Sequence, residues 1–169
     1  MPEELFVRRV RISKEIPEDD YIAGLPVIRH LTQMGGLGFR KPVTFLVGEN
    51  GTGKSTLLEG LAVALGFNAE GGTLSYQFST ADSHSDLYQY LTVEKGSRRF
   101  SGGYFLRAES FYNAASYLNT VYTADEMEKY YGGSLHARSH GESFFALIEK
   151  RFQGNGLYLM DEPEAALSP

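Results

Sequence analysis

The chain has 169 residues, with 16 Lys+Arg against 21 Asp+Glu and a formal charge of −5. Its 42% hydrophobic and 22% charged content is that of an ordinary globular domain, which excludes intrinsic disorder, a collagen-like fibre and a disulfide-built mini-fold. With no cysteine there are no disulfides, thiolate metal ligands or thiol nucleophiles, and no run approaches the roughly 18 apolar residues of a membrane span.

The opening residues lack the apolar stretch of a secretory signal, so the expectation is one cytoplasmic domain over residues 1–169. Residues 5–12, rich in β-branched and apolar side chains, predict a strand, and 17–20 break it. A short extended piece is expected over 27–31 after Pro26, and Gly35, Gly36 and Gly38 make a turn. These pieces predict a peripheral antiparallel sheet. Residues 43–47 (VTFLV), between Pro42 and Gly48, have the continuous apolar pattern of a parallel strand buried on both faces. Leu57, Leu58, Leu61, Ala62 and Leu65 then recur at helical spacing, with Gly66 placed as a left-handed cap. The polar stretch 68–86 reads as loop with a short strand at 73–78. YFLR (104–107) predicts a strand, and Phe111, Ala114, Ala115 and Leu118 a helical face. Thr123 with Glu126 forms a capping box for a helix that Gly132 and Gly133 close. Residues 142–152 form a further helix with Phe145, Ile148 and Phe152 as its stripe, and 157–160 a second buried strand.

Gly48-Glu49-Asn50-Gly51-Thr52-Gly53-Lys54-Ser55 satisfies G-x-x-x-x-G-K-[ST] between an expected strand and an expected helix. Glycines let the backbone curl so that successive N–H groups face a phosphate, and the helix dipole adds to the same point. Lys54 reaches the outer phosphates, and Ser55 offers a hydroxyl to Mg²⁺. LYLMDE (157–162) delivers an acidic pair at the carboxyl end of an apolar strand, where open α/β sheets bind ligands. Asp161 is placed to hold the Mg²⁺ shell and Glu162 to polarise an attacking water. Lys54 and Asp161 lie 107 positions apart (161 − 54), room for an inserted helical subdomain at about 108–140 and too long for a minimal small-molecule kinase core. The basic residues Arg8, Arg9, Arg11, Lys14, Arg98 and Arg99 read first as solvated surface, with a local basic groove as the alternative. His136 and His140 are the only two histidines near a ligand-like spacing, and loop or cap roles explain them better than zinc.

GENGTGKST, SHGES and LYLMDEPEAALSP resemble, in order and spacing, the Walker A, signature and Walker B plus D-loop segments of ABC-type ATPases. The chain is similar in particular to small soluble bacterial ATPases of the AAA/ABC-like group. The resemblance covers most of the chain from Val43 onward. It implies an α/β P-loop NTPase with a mostly parallel central sheet, a peripheral antiparallel sheet and a helical insertion. It also implies ATP and Mg²⁺ as ligands, with residues 48–55 and Thr56 cradling phosphate. Ser139 and Gly141 would contact the γ-phosphate held by a second subunit in an ATP-dependent homodimer, and a simple helix cap is the other reading of Ser139. His140 replaces a glycine of the usual signature. Glu109 stands near the place of the family's Q-loop glutamine, either as a water-mediated Mg²⁺ contact or as a helix-start acid favoured by the dipole; Gln77 is a weaker substitute. Tyr21 and Phe39 are options for an adenine-stacking aromatic. The family's switch histidine and later strands would follow Pro169, so the expectation is a C-terminally truncated chain with weak hydrolysis. A P-loop phosphotransferase and an ATP-gated DNA- or protein-binding module are the competing functions.

Overall fold

The computed structural model describes residues 5–74, 85–109, 111–152 and 154–167. The expected short strand at 73–78 and Gln77 therefore fall largely or wholly outside the described residues. Two compact units emerge: residues 1–69 with 81–100, and residues 70–80 with 101–169.

In the first unit, β1 (Val7–Ile12) is the middle strand of a three-stranded antiparallel sheet. It pairs with β2 (Leu37–Gly38) on one side and β3 (Leu91–Lys95) on the other. A register shift between Val7 and Arg9 explains why strict alternation is missing from the sequence. The extra residue turns the strand so that Val7 and Val10, three apart, both face inward. Residues 26–33 are helical, which corrects the expected extended piece at 27–31. Pro26 occupies the first turn of α2 (Pro26–Gln33), where its missing N–H costs nothing, and Ile28 and Leu31 bury one face. α2 follows a single helical turn, α1 (Tyr21–Gly24), which is capped by Asp20. α3 (Lys54–Leu65) ends on Gly66 at φ +96°, as its sequence requires. The core gathers Ile22, Ile28, Leu31, Leu57 and Leu87.

Residues 43–47 form no strand and join no ladder among the described residues, and Val43, Phe45 and Val47 are 68%, 83% and 92% exposed. This corrects the expectation of a strand buried on both faces. Strands β2 and β3 occupy both sides of β1, and of residues 43–47 only Leu46 packs against the core.

In the second unit, β4 (Gly102–Arg107) and β5 (Gly156–Asp161) form a parallel pair in unbroken register from Gly102 opposite Gly156 to Arg107 opposite Asp161. Parallel neighbours need a long crossover. It is supplied here by α4 (Phe111–Val121), α5 (Ala124–Tyr131) and α6 (His140–Arg151). Thr123 and Glu126 form the expected capping box, and Gly132 ends α5. Tyr104, Leu106, Leu118, Tyr131, Phe144 and Leu147 dominate the core. The stripe expected on α6 is rotated: Phe144 and Leu147 are buried and Phe145 is 55% exposed, because the Phe-Phe doublet satisfies helical spacing in either phase. Strand β5 is less enclosed than expected, with Leu159 and Asp161 buried and Met160 exposed. Among the described residues no helix is long and apolar enough to cross a membrane.

Candidate nucleotide-binding site

In the first unit, the phosphate loop leads into α3. Gly53 is the N-cap, with φ +92°, and a Cβ there would sit 2.8 Å from Val27 Cγ1 and 3.3 Å from Leu25 Cβ. Glycine is thus required twice, by the left-handed backbone and by the approach of α2. The Val27 N–H donates to the Thr52 carbonyl at 3.0 Å, which ties the loop to the same helix. Thr52 Oγ1 donates to the Glu49 carbonyl at 2.8 Å and folds the turn on itself. Asn50 and Gly51 form the exposed tip.

Lys54 Nζ reaches back across this loop and donates to the carbonyls of Gly48 and Glu49, each at 2.8 Å. An ammonium carries three donors, so two bonds fix its position over the loop and a third remains for an anion. Ser55 and Thr56, half-buried, occupy the first turn of α3, where N–H groups have no intrahelical acceptor and the dipole is positive. A cleft of about 760 Å³ adjoins the loop, lined among others by Arg9, His30, Arg40, Phe45, Thr52 and Lys54. Its cations and apolar wall suit a phosphorylated aromatic ligand. Tyr21 and Phe39 do not line it, whereas Phe45 does. The N-terminal basic run is divided in use. Arg9 borders the cleft and donates to the Gly35 carbonyl, while Arg11 pairs with Glu94 on the sheet surface.

In the second unit, the acidic pair lies at the carboxyl end of β5. Asp161 is buried, and its carboxylate is 3.7 Å from Arg107 Nε. The next residue, Glu162, is exposed and adopts φ +50°; it is the one non-glycine with positive φ among the described residues. Its carbonyl accepts from Ala165 N–H at 3.0 Å, which starts the turn that follows. A left-handed L-residue costs about 1–2 kcal/mol. That strain turns Glu162 out of the direction β5 would impose and leaves two consecutive carboxylates in different surroundings, one enclosed and one open.

Ser55 in the first unit offers a hydroxyl and Asp161 in the second a carboxylate, each a hard oxygen donor of the kind Mg²⁺ takes. Comparison with known proteins bears on the phosphate loop. The family model described as AAA domain matches residues 33–130, more than half of the chain and including the whole phosphate loop. The chain belongs to this AAA domain family. As an AAA domain it is a nucleotide-binding module of the P-loop ATPase kind, and its antiparallel and parallel sheets are compatible with that fold. It is also similar to Structural maintenance of chromosomes protein 6 of Takifugu rubripes, 34% identical over 68 residues. That match covers 36% of this chain and 6% of the relative, so the chain spans a small fraction of that protein's length. No solved structure matches.

Ser139, Gly141 and Glu109 lie in the second unit. Ser139 is the N-cap of α6 in a reciprocal capping box: its Oγ donates to Glu142 Oε2 at 2.8 Å, and its backbone N–H donates to the same oxygen at 2.9 Å. These bonds, the side-chain one first, hold the Glu142 carboxyl below the ordinary range. Gly141, half-buried in the first turn, has open space where a Cβ would go. Glu109 is exposed, and its Oε2 accepts from Arg107 Nη2 at 3.4 Å. Arg107 is the residue that sequence reasoning missed. The available signal was positional: YFLR and LYLMD each end on a charge, and parallel pairing sets those charges opposite one another.

Proposed function

We propose that this chain is an ATP-hydrolysing module of the ABC-like kind, whose copies close head to tail on ATP and Mg²⁺ and part after hydrolysis. The observation that carries the reading is the closed phosphate loop, in which Lys54 bonds the Gly48 and Glu49 carbonyls above the N-terminus of α3. In this reading residues 48–56 wrap the phosphates with backbone N–H groups, and Lys54 neutralises charge that builds on the outer ones. Ser55 and Asp161 hold Mg²⁺, which when bound offsets phosphate charge and orients the γ-phosphoryl group. Glu162 takes a proton from water as the water oxygen bonds to the γ-phosphorus and the bridging oxygen leaves with ADP.

The strain at Glu162 supports a working rather than a structural role, since an exposed glutamate has no packing reason to be left-handed. The helical segment at 108–140 and Ser139 with Gly141 serve the second subunit's nucleotide, so the capping box at Ser139 is a resting arrangement that γ-phosphate contact rearranges. The AAA domain match supports an ATPase, and what the cycle drives belongs to whatever partner it engages.

Sedimentation of Glu162→Gln with and without ATP and Mg²⁺ tests the reading. The expected result is retained ATP and a monomer-to-dimer shift that Ser139→Arg abolishes. A protein that binds ATP yet stays monomeric removes the dimer, and transfer of phosphate to an acceptor other than water removes the hydrolase.

A further inference from the structure

Asp161 is a carboxylate at the end of a strand, its side chain 10% exposed, and a charge so enclosed needs a counter-charge to persist. Arg107 supplies it from the adjoining strand, with Nε 3.7 Å from Oδ2. The same guanidinium, 16% exposed, holds a second acid through Nη2: Glu109, 3.4 Å away and 87% exposed. One cation thus bridges an enclosed carboxylate and an open one two residues along its own chain. The parallel register fixes this arrangement, because Arg107 and Asp161 are directly paired positions.

Resting on the reading that Asp161 serves the cation, we propose that Arg107 competes with a divalent cation for Asp161 and that Glu109 is where the guanidinium is held when the cation takes that carboxylate. Three charges in a row, minus, plus, minus, make the exchange balanced. The cation replaces the guanidinium on Asp161, and the guanidinium keeps Glu109 as a partner nearer to water. The contacts fit an exchange better than a permanent clamp. The separations of 3.7 Å from Nε to Asp161 and 3.4 Å from Nη2 to Glu109 are long for charge-assisted bonds. Arg107 therefore sets how much Mg²⁺ the site requires. Glu109, the candidate Mg²⁺ contact of the sequence, acts on the cation through Arg107.

Two substitutions move that requirement in opposite directions. The readout is the half-saturating Mg²⁺ concentration for retention of a non-hydrolysable ATP analogue by the full chain, with thermal unfolding measured alongside. Arg107→Gln removes the competitor and lowers the half-saturating concentration on the order of tenfold, whereas Arg107→Lys, which keeps the charge, stays closer to wild type. Glu109→Gln removes the place where the arginine is held and raises it roughly two- to fivefold, the scale of an exposed ion pair. A purely structural role for Arg107 would not give shifts of opposite sign. If Arg107→Gln loses cooperative unfolding, Glu109→Gln decides alone, since its side chain is open to solvent. Unchanged requirements, or shifts of the same sign, while Asp161→Asn abolishes the Mg²⁺ dependence overturn the counter-ion proposal and leave the site reading standing. Mg²⁺ dependence that survives Asp161→Asn overturns both.

Discussion

Gly53→Ala puts the phosphate loop to its sharpest physical test. A Cβ at this position meets two independent obstacles: the backbone at φ +92°, and Val27 Cγ1 at 2.8 Å with two Leu25 carbons at 3.3 Å. The left-handed backbone costs an L-residue about 1–2 kcal/mol, and a forced overlap in a packed contact costs about 1–3 kcal/mol more. Leu25 and Val27 cannot retreat freely, because they belong to the junction of α1 and α2 and Val27 N–H is bonded to Thr52. Gly53→Ala should therefore destabilise the loop by about 2–5 kcal/mol and weaken ATP binding by at least tenfold, at ~1.4 kcal/mol per factor of ten. Denaturant unfolding and calorimetric ATP titration read the two effects. Adding Val27→Ala removes the nearest contact but not the backbone cost, so the double variant should recover roughly half of the loss. Wild-type binding by Gly53→Ala, or no recovery on adding Val27→Ala, would refute the argument that this glycine is demanded by both backbone and space.

Two further expectations follow from the termini of the elements. Glu162→Gly relieves the left-handed strain at the cost of backbone entropy, so it should raise unfolding stability by about 0.5–1 kcal/mol while abolishing ATP hydrolysis, and a destabilised variant would contradict the strain assignment. The carboxyls of Glu126 and Glu142 are both held below the ordinary 4.5 by bonds from the capping residues Thr123 and Ser139. Because the folded values are the lower ones, this support is complete above 4.5 and disappears as pH falls through the lowered values. Helical circular dichroism over a pH series should show the wild type losing more helix below 4.5 than a Glu126→Gln, Glu142→Gln double variant, and parallel profiles would refute it.

Signals written in neighbouring residues were legible in the sequence, and those that depend on distant partners were not. The Thr123–Glu126 box and the Gly66 cap are contained within a turn of chain, so spacing alone identified them. The phosphate loop was legible for the same reason. The segment at 43–47 has the apolar content of a buried strand, but composition states a need for burial without naming the partner, and β1 is already flanked by β2 and β3. Strand β3 (LTVEK) was missed because only Leu91 and Val93 are apolar and its pairing with β1 is long-range. On α6 the doublet Phe144–Phe145 allowed two phases one residue apart, a rotation of roughly 100°, and only tertiary packing, with the Phe144 ring edge-on to Phe111, selects between them.

The acidic pair shows why a site can be recognised from a motif while its chemistry depends on tertiary structure. Asp161 and Glu162 are adjacent in sequence and carry the same functional group. Strand pairing encloses the first and sets it opposite Arg107; the left-handed turn of the second exposes it. In a regular extended strand, successive side chains point to opposite faces, so continuing β5 would have turned Glu162 to the face opposite Asp161. Instead the chain leaves the ladder at that residue, at a cost of about 1–2 kcal/mol. A glycine there would avoid the strain but could supply no carboxylate. The strain is thus tied to the presence of an acid at this position, and the identity of residue 162 is better explained by chemistry than by stability.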